Sequence, residues 1–309
     1  MQQDIALQTA IAQVDGALGG TLRRPQVKAV FDEPTFTASY LVSDPVAKRA
    51  AIIDSVWDFD QASGRTSFDS ADAIIAQVEA EGLAVDWILE THAHADHLSA
   101  GTYLQQKLGG KLVIGSEIVA VQRHFGAVFN EGAEFIRDGS QFDRLLNDGD
   151  TLMIGEIPLI ALSVPGHTPV DMAFVAGDAM FVGDTMFMPD YGSARTDFPG
   201  GDAHSLYRSV RRLMQLPGGT RVFLCHDYKA PGRTEFAWET TIDAQRAGNV
   251  HLHDGVTEDE FVAMRIERDA TLAVPKLLLA ALQVNMRGGR LPEAEANGTS
   301  YLKLPLNLL

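Results

Sequence analysis

Cysteine is almost absent from this sequence. A single residue, Cys225, excludes a disulfide within the chain, so stability must come from packing, as suits a reducing compartment. Cys225 sits in the apolar run VFLC, where a buried structural thiol is expected rather than a nucleophile. Basic residues are also few, 25 against 41 acidic ones, for a formal charge of -16. Nucleic acids and anionic membranes both need the opposite excess, so neither is expected as a partner. No run approaches the roughly 20 apolar residues of a membrane span. The first twenty residues, MQQDIALQTAIAQVDGALGG, lack a basic segment leading into an apolar one, and a cytoplasmic protein is expected. Glycine-rich phosphate loops are missing too, since Gly200-Gly201 and Gly218-Gly219 have neither a following Lys-Ser nor a spaced triplet.

What the sequence does have is core material and histidine in a telling place. With 309 residues, 46% of them hydrophobic, it can bury one large α/β core or two smaller ones. The stretch VDWILETHAHADHLSAG, Val85 to Gly101, reads as an apolar strand ending in a loop with His92, His94, Asp96 and His97. Neutral imidazole and carboxylate are ligands for zinc, iron and manganese, and a turn at a strand end can aim alternate residues at one point. Three further candidates also sit at strand exits: His167 in VPGHTP, Asp184 in FVGDTMF and His226 in FLCHDY. A layered sheet would bring them all to one edge. Seven candidates exceed the four ligands of a closed structural zinc site, which disfavours a merely metal-stabilised binding module.

Around these motifs, residues 1–24 read as a short peripheral helix ending at Gly19-Gly20. QVKAVFD, TFTASYLVS and RAAIIDSVW read as three antiparallel strands. Asp54, ending the third, is either a residue orienting a ligand or an ordinary polar strand end. The pattern over 70–81 predicts a helix with Ala71, Ile74, Ile75 and Val78 inward, Asp69 or Ser70 as N-cap, and Gly82 past its end. Residues 122–142 carry Phe125, Phe129, Phe135 and Phe142 among glycines, and form a lid, an oligomer contact or a loop packed on its own aromatics. His124 within it is expected at the surface. Ala203 to Leu216 predicts a helix with Leu206, Val210, Leu213 and Met214 inward. The runs Phe236 to Arg246, Glu258 to Arg268 and Val274 to Val284 read as helical, with too little core to stand alone.

HxHxDH, then PGHT, then GD, then a late strand-end histidine resembles the metallo-β-lactamase superfamily. Within it, THAHADH, SVPGHTPVDMAF, FVGDTMF, ARTDF, HDY and the NMR segment at Asn285 to Arg287 look most similar to the persulfide dioxygenases, over roughly Val27 to Gly289. The resemblance implies an α/β fold, an αββα sandwich of two mixed sheets flanked by helices, with metal at one edge. It implies a core over 25–235 with an insertion at 122–142, and a C-terminal helical extension, 236–309, packed on that core as one domain. It also implies one Fe(II) per chain, held by His92, His167 and Asp184, that oxidises glutathione persulfide with O2 to sulfite. A homodimer is expected. The alternative is the glyoxalase II pattern, a thioester hydrolase with two Zn(II). There His92, His94 and His167 would hold one ion, Asp96, His97 and His226 the other, and Asp184 would bridge.

Between Arg195 and Arg233 lie seven basic residues against three acidic ones. Arg195, Lys229 and Arg233 fall in loops after ligand-bearing strands. With Arg287, and with Tyr228 hydrogen-bonding nearby, they are candidates to hold the carboxylates of glutathione. For Arg195 the competing role is an internal ion pair with Asp197 or Asp202. Arg208, Arg211 and Arg212 are expected on a solvated helix face.

Overall fold

The computed structural model describes residues 4–308. Helix α1 (Ile5–Leu18) begins at Asp4, whose carboxylate accepts the Leu7 amide and caps the first turn. It is not peripheral: Leu7, Ala10 and Val14 are buried against a sheet. Strands β1 (Gln26–Asp32), β2 (Thr37–Asp44) and β3 (Arg49–Ile53) form the expected antiparallel meander. The third run stops short of Trp57, however. Asp54 takes a left-handed backbone, φ 53°, and the chain turns off into β4 (Val56–Asp60), which pairs with β5 (Arg65–Ser67) in a small separate sheet.

Helix α2 (Asp69–Glu81) ends at Gly82 in the left-handed region, as predicted, but neither Asp69 nor Ser70 caps it. Asp58 of β4 receives the Ser70 amide instead. Next come β6 (Ala84–Leu89), β7 (Leu98–Ser99), which pairs back onto β4, and α3 (Gly101–Leu108). They are followed by β8 (Lys111–Gly115), α4 (Ile118–Val128) and β9 (Arg144–Leu146). The second half contains β10 (Thr151–Ile154), β11 (Ile157–Ser163), β12 (Met172–Ala176), β13 (Ala179–Phe181), α5 (Ala203–Leu213) and β14 (Arg221–Phe223). It closes with β15 (Glu239–Thr241), α6 (Ile242–Gly248), α7 (Glu258–Asp269) and α8 (Leu278–Asn285). The run Phe236 to Arg246 is therefore not one helix. Its middle pairs with β14 as the edge of a sheet, because an open edge offers backbone partners that local propensity does not foresee.

Two six-stranded sheets result, β1-β2-β3-β6-β8-β9 and β10-β11-β12-β13-β14-β15. Both mix parallel and antiparallel pairs: β3, β6, β8 and β9 run parallel in the first, and β13 with β14 in the second. Their inner faces share one core, in which Tyr40, Ile53 and Leu89 meet Leu159, Phe174 and Phe181. Truncating one of these buried aromatics costs ~3–5 kcal/mol in typical cores. α2, α3, α4 and α8 cover the outer face of the first sheet, and α1, α5 and α7 that of the second. The order of layers is thus αββα. No described helix is long and apolar enough to cross a membrane.

Phe125, Phe129, Phe135 and Phe142 are all buried in the core beneath the first sheet, with α8, so their rings dock 122–142 onto the main core. His124 is exposed, as expected. Of the three α5 arginines only Arg208 is well solvated. Arg212 is mostly buried and binds Asp4 and Asp148, tying α5 to the start of α1. Arg211 pairs with Asp254.

Candidate metal centre

The strand ends of both sheets meet at one edge, and seven potential ligands collect there. His92, His94, Asp96 and His97 occupy the irregular loop between β6 and β7. His167 follows β11 through Gly166, whose φ of 151° and close approach to α5 exclude a side chain, since a Cβ would lie 2.3 Å from the Leu206 Cα. Asp184 follows β13 through Gly183, φ 52°, where a Cβ would meet Thr91 Oγ1 at 2.5 Å. These glycines let the second sheet's loops press against the histidine loop of the first. His226 follows β14 and bridges to Thr37 at the start of β2.

The imidazoles are oriented by what their outward nitrogens bond. His92 Nδ1 lies 3.0 Å from Thr91 Oγ1, which itself donates to Asp54. His167 Nδ1 lies 2.8 Å from the Arg195 carbonyl, His97 Nδ1 3.1 Å from that of Leu98, and His226 Nδ1 3.2 Å from that of Phe36. A carbonyl, or a hydroxyl whose own proton goes to Asp54, accepts only from N–H, so Nδ1 carries a proton in each ring and Nε2 offers its lone pair whenever the ring is neutral. His94 is reversed: Nε2 faces Asp54 at 3.0 Å and Glu90 at 3.3 Å, leaving Nδ1. Asp54 thus fixes the orientation of the His94 ring.

The inward atoms have no hydrogen-bond partner. His92 Nε2, His94 Nδ1, Asp96 Oδ2, His97 Nε2, Asp184 Oδ1 and His226 Nε2 are all buried and unpaired. Orphaned acceptors facing one another are costly unless a cation sits among them, so this donor set fits a metal. Burial, reinforced by the surrounding imidazoles, holds His92 well below its ordinary pKa and brings His97 down to about 3, which keeps both neutral for ligation. Burial also opposes charge on His94 and His226, but Asp54 outweighs it for the first, and Asp184 with Asp96 for the second, so both are raised well above the usual imidazole range. Burial pushes Glu90 up.

His92, His167 and Asp184 form one tight group, their ligand atoms all within 4.8 Å of one another. The tight groups that include His94 have other members, Asp96 with His97, Cys225 with His226, and Asp54 with Glu90, although its ring lies 4.1 Å from that of His92. Cys225 is buried, as its apolar run predicts.

Two further residues complete the loop, Asn285 from the NMR segment and Glu90, which no motif announced. Glu90 is buried and links His94 to Ser99 Oγ. Asn285, at the end of α8, accepts the Ser99 amide at 2.7 Å and donates to the carbonyls of His94 and His97, both at 2.8 Å. The available signal for Asn285 was a polar residue closing the buried run LLAALQV, and for Glu90 an acid at a buried strand end.

A cleft of about 1030 Å³ opens over the cluster, with Asp96, His167 and Asp184 on its floor and Phe36, Phe59, Phe187, Tyr191 and Leu272 in its walls. Arg195 and Tyr228 line it; Lys229, Arg233 and Arg287 do not. The Arg195 guanidinium is held by Asp197 at 2.5 and 2.6 Å, the internal pair foreseen as its competing role, and by the Ala273 carbonyl. Lys229 lies over the Phe236 ring, Arg233 pairs with Asp190 and Asp227, and Arg287 with Glu131, because each finds an acceptor closer than the cleft. The cations on the cleft without an ion pair among the described residues are Arg65, Arg268 and Lys276. No described residue of 122–142 lines the cleft.

The family model of the metallo-beta-lactamase superfamily matches residues 32–226. The chain is 53% identical over 293 residues to a probable metallo-hydrolase of Burkholderia pseudomallei, covering 92% of this chain and 99% of that one. It is 46% identical over 275 residues to glyoxylase B2 of Dictyostelium discoideum, covering 88% and 94%. It is 28% identical over 274 residues to the human mitochondrial persulfide dioxygenase ETHE1, covering 88% and 91%. Some relatives are longer: the chain spans 65% of the beta-lactamase hydrolase-like protein of Agrobacterium fabrum, at 50% identity. Among solved structures, ETHE1 from Myxococcus xanthus superposes with a TM-score of 0.67 at 28% identity, covering 86% of this chain and all of that one.

Proposed function

Because the chain belongs to the metallo-beta-lactamase superfamily, we propose that its edge cluster serves a metal-dependent oxidation, that of glutathione persulfide by dioxygen, with one iron(II) per chain. The observation that carries this reading is the convergence of His92, His167 and Asp184 in one group, while His94 is grouped with other partners. His92, His167 and Asp184 would hold the ion, which would supply a site where persulfide and dioxygen can meet. When bound, iron(II) supplies the redox chemistry between the persulfide and dioxygen. The balance is GSSH + O2 + H2O giving GSH and H2SO3: the outer sulfur is oxidised, the S–S bond breaks, and both oxygens are reduced.

The chain's own residues do the rest. Thr91 and the Arg195 carbonyl hold His92 and His167 with Nε2 inward. Phe36, Phe187 and Tyr228 form an aromatic collar over the floor that limits water. His226, 3.2 Å from Asp96 and 3.3 Å from Asp184, is placed to hold a proton at Nε2. The similarity to the human persulfide dioxygenase supports this reading.

The second reading, a two-metal thioester hydrolase, is favoured by the six unpaired ligand atoms and by the likeness to glyoxylase B2. Elemental analysis of protein purified without added metal separates the two. About one iron per chain is expected, and two zinc ions would overturn the reading.

Since Arg195, Arg233 and Arg287 are already paired, the contacts for the substrate's carboxylates pass to Arg268 and Lys276 at the cleft rim, with Tyr228 below. Both side chains are exposed, so each contributes at the low end of the range for ion pairs, roughly 0.5–1 kcal/mol. Replacing both by alanine is expected to raise KM for glutathione persulfide about tenfold with little change in kcat. Arg195→Ala is expected to lower stability more than it alters KM. A steady-state comparison of these variants checks the assignment.

A further inference from the structure

The segment 192–197 joins no helix or strand, yet its Arg195 carbonyl fixes the ring of His167 at 2.8 Å. Something else must hold it still. Asp269, at the end of α7, accepts the Thr196 amide at 2.8 Å and the Thr196 hydroxyl at 3.1 Å through one carboxylate oxygen. Its other oxygen takes two bonds from Arg265, at 3.0 and 2.6 Å. Arg265 in turn reaches the Ser193 carbonyl at 3.2 Å, and Arg195 Nη1 reaches the Ala273 carbonyl just beyond the helix at 2.6 Å. The segment is therefore tied at Ser193, Arg195 and Thr196 to one short stretch of the C-terminal helices.

Burial shows that this is a built arrangement. Arg265 is 1% exposed and Asp269 6%, and a buried ion pair is costly unless its remaining hydrogen-bonding groups are satisfied. Here the remaining groups are the backbone of 193–196. A hydrophobic pair would pack α7 onto α5 equally well, but it would leave the Thr196 amide unmet and the segment held only at Gly192, Ser193 and Arg195.

We propose that Asp269 and Arg265 are positioning residues for the metal centre, holding 193–197 so that the Arg195 carbonyl keeps His167 in the tautomer and orientation that present Nε2. The proposal rests on His167 being a ligand. It makes α7 a part of the centre although no residue of that helix touches a ligand. Outer partners of metal-bound histidines typically contribute 10–100-fold to metal affinity.

Cobalt(II) titration of the metal-free protein tests this without reference to turnover, through competition with a fluorescent chelator and the visible absorption of the bound ion. Asp269→Ala is expected to weaken cobalt binding 10–100-fold and to shift the absorption bands. Asp269→Asn, which keeps the shape but not the charge, is expected to lose about tenfold, and it decides the matter if the alanine variant does not fold. Folded Asp269→Asn protein with a lowered Tm but wild-type cobalt affinity and spectrum would show a purely structural role and overturn the proposal. His167→Ala serves as the control. Unchanged binding there sinks the ligand assignment itself, whereas normal loss at His167 with none at Asp269 sinks the positioning role alone.

Discussion

Alanine at His92, His167 or Asp184 is expected to strip the protein of its metal and abolish turnover, whereas alanine at His97 or His226 is expected to leave the metal in place. The expected size follows from sharing. Four-ligand zinc sites are worth roughly 10–16 kcal/mol in all, or ~2.5–4 kcal/mol per ligand, so one missing ligand costs about 10²-fold to several hundred-fold in affinity. His97 and His226 lie outside the tight group of three, and their loss is expected to change affinity by less than about tenfold. Metal content after dialysis against a fixed chelator concentration checks the order. Near-equal losses at all five positions would indicate two metals sharing the cluster.

Asn285→Ala is expected to be the most damaging change outside the ligands. It strands three buried groups at once: the Ser99 amide and the carbonyls of His94 and His97. Each unmet buried group costs about 1–3 kcal/mol, and after relaxation a total of ~3–5 kcal/mol is expected. For a chain of this size that corresponds to a fall in Tm of roughly 6–10 °C, read by thermal melting of the metal-free protein. Metal affinity is expected to fall with it, since the same loop carries His92. A shift below about 2 °C would mean that water replaces the amide and that Asn285 is not needed to shape the loop.

The candidate metal cluster was legible because its chemistry constrains its surroundings. A ligand at a strand exit needs a chain break beside it, and Pro165-Gly166 and Gly183 mark two of those breaks in the sequence itself. The alternation of apolar runs and turns likewise showed the meander of β1 to β3, and Gly82 marked the end of α2. Partners far apart in the sequence were not legible. Arg212 looks like a solvated helix residue until α1 brings Asp4 beside it, 208 residues away. Asn285 was marked only as part of the short NMR string, and its role in holding the histidine loop, 191 residues earlier, shows only once the chain is folded. Glu239 to Thr241 reads as helical because only the open edge of β14 makes it a strand. Arg195 shows the opposite case: its pair with Asp197 is two residues away, and so could be anticipated as the competitor to substrate binding.

The choice between oxidation and hydrolysis rests on electrons, so it is tested most directly in an oxygen electrode. With glutathione persulfide as substrate, the iron-loaded protein is predicted to consume one dioxygen for each sulfite formed. Steady hydrolysis of S-lactoylglutathione with no oxygen uptake on the persulfide would contradict the account.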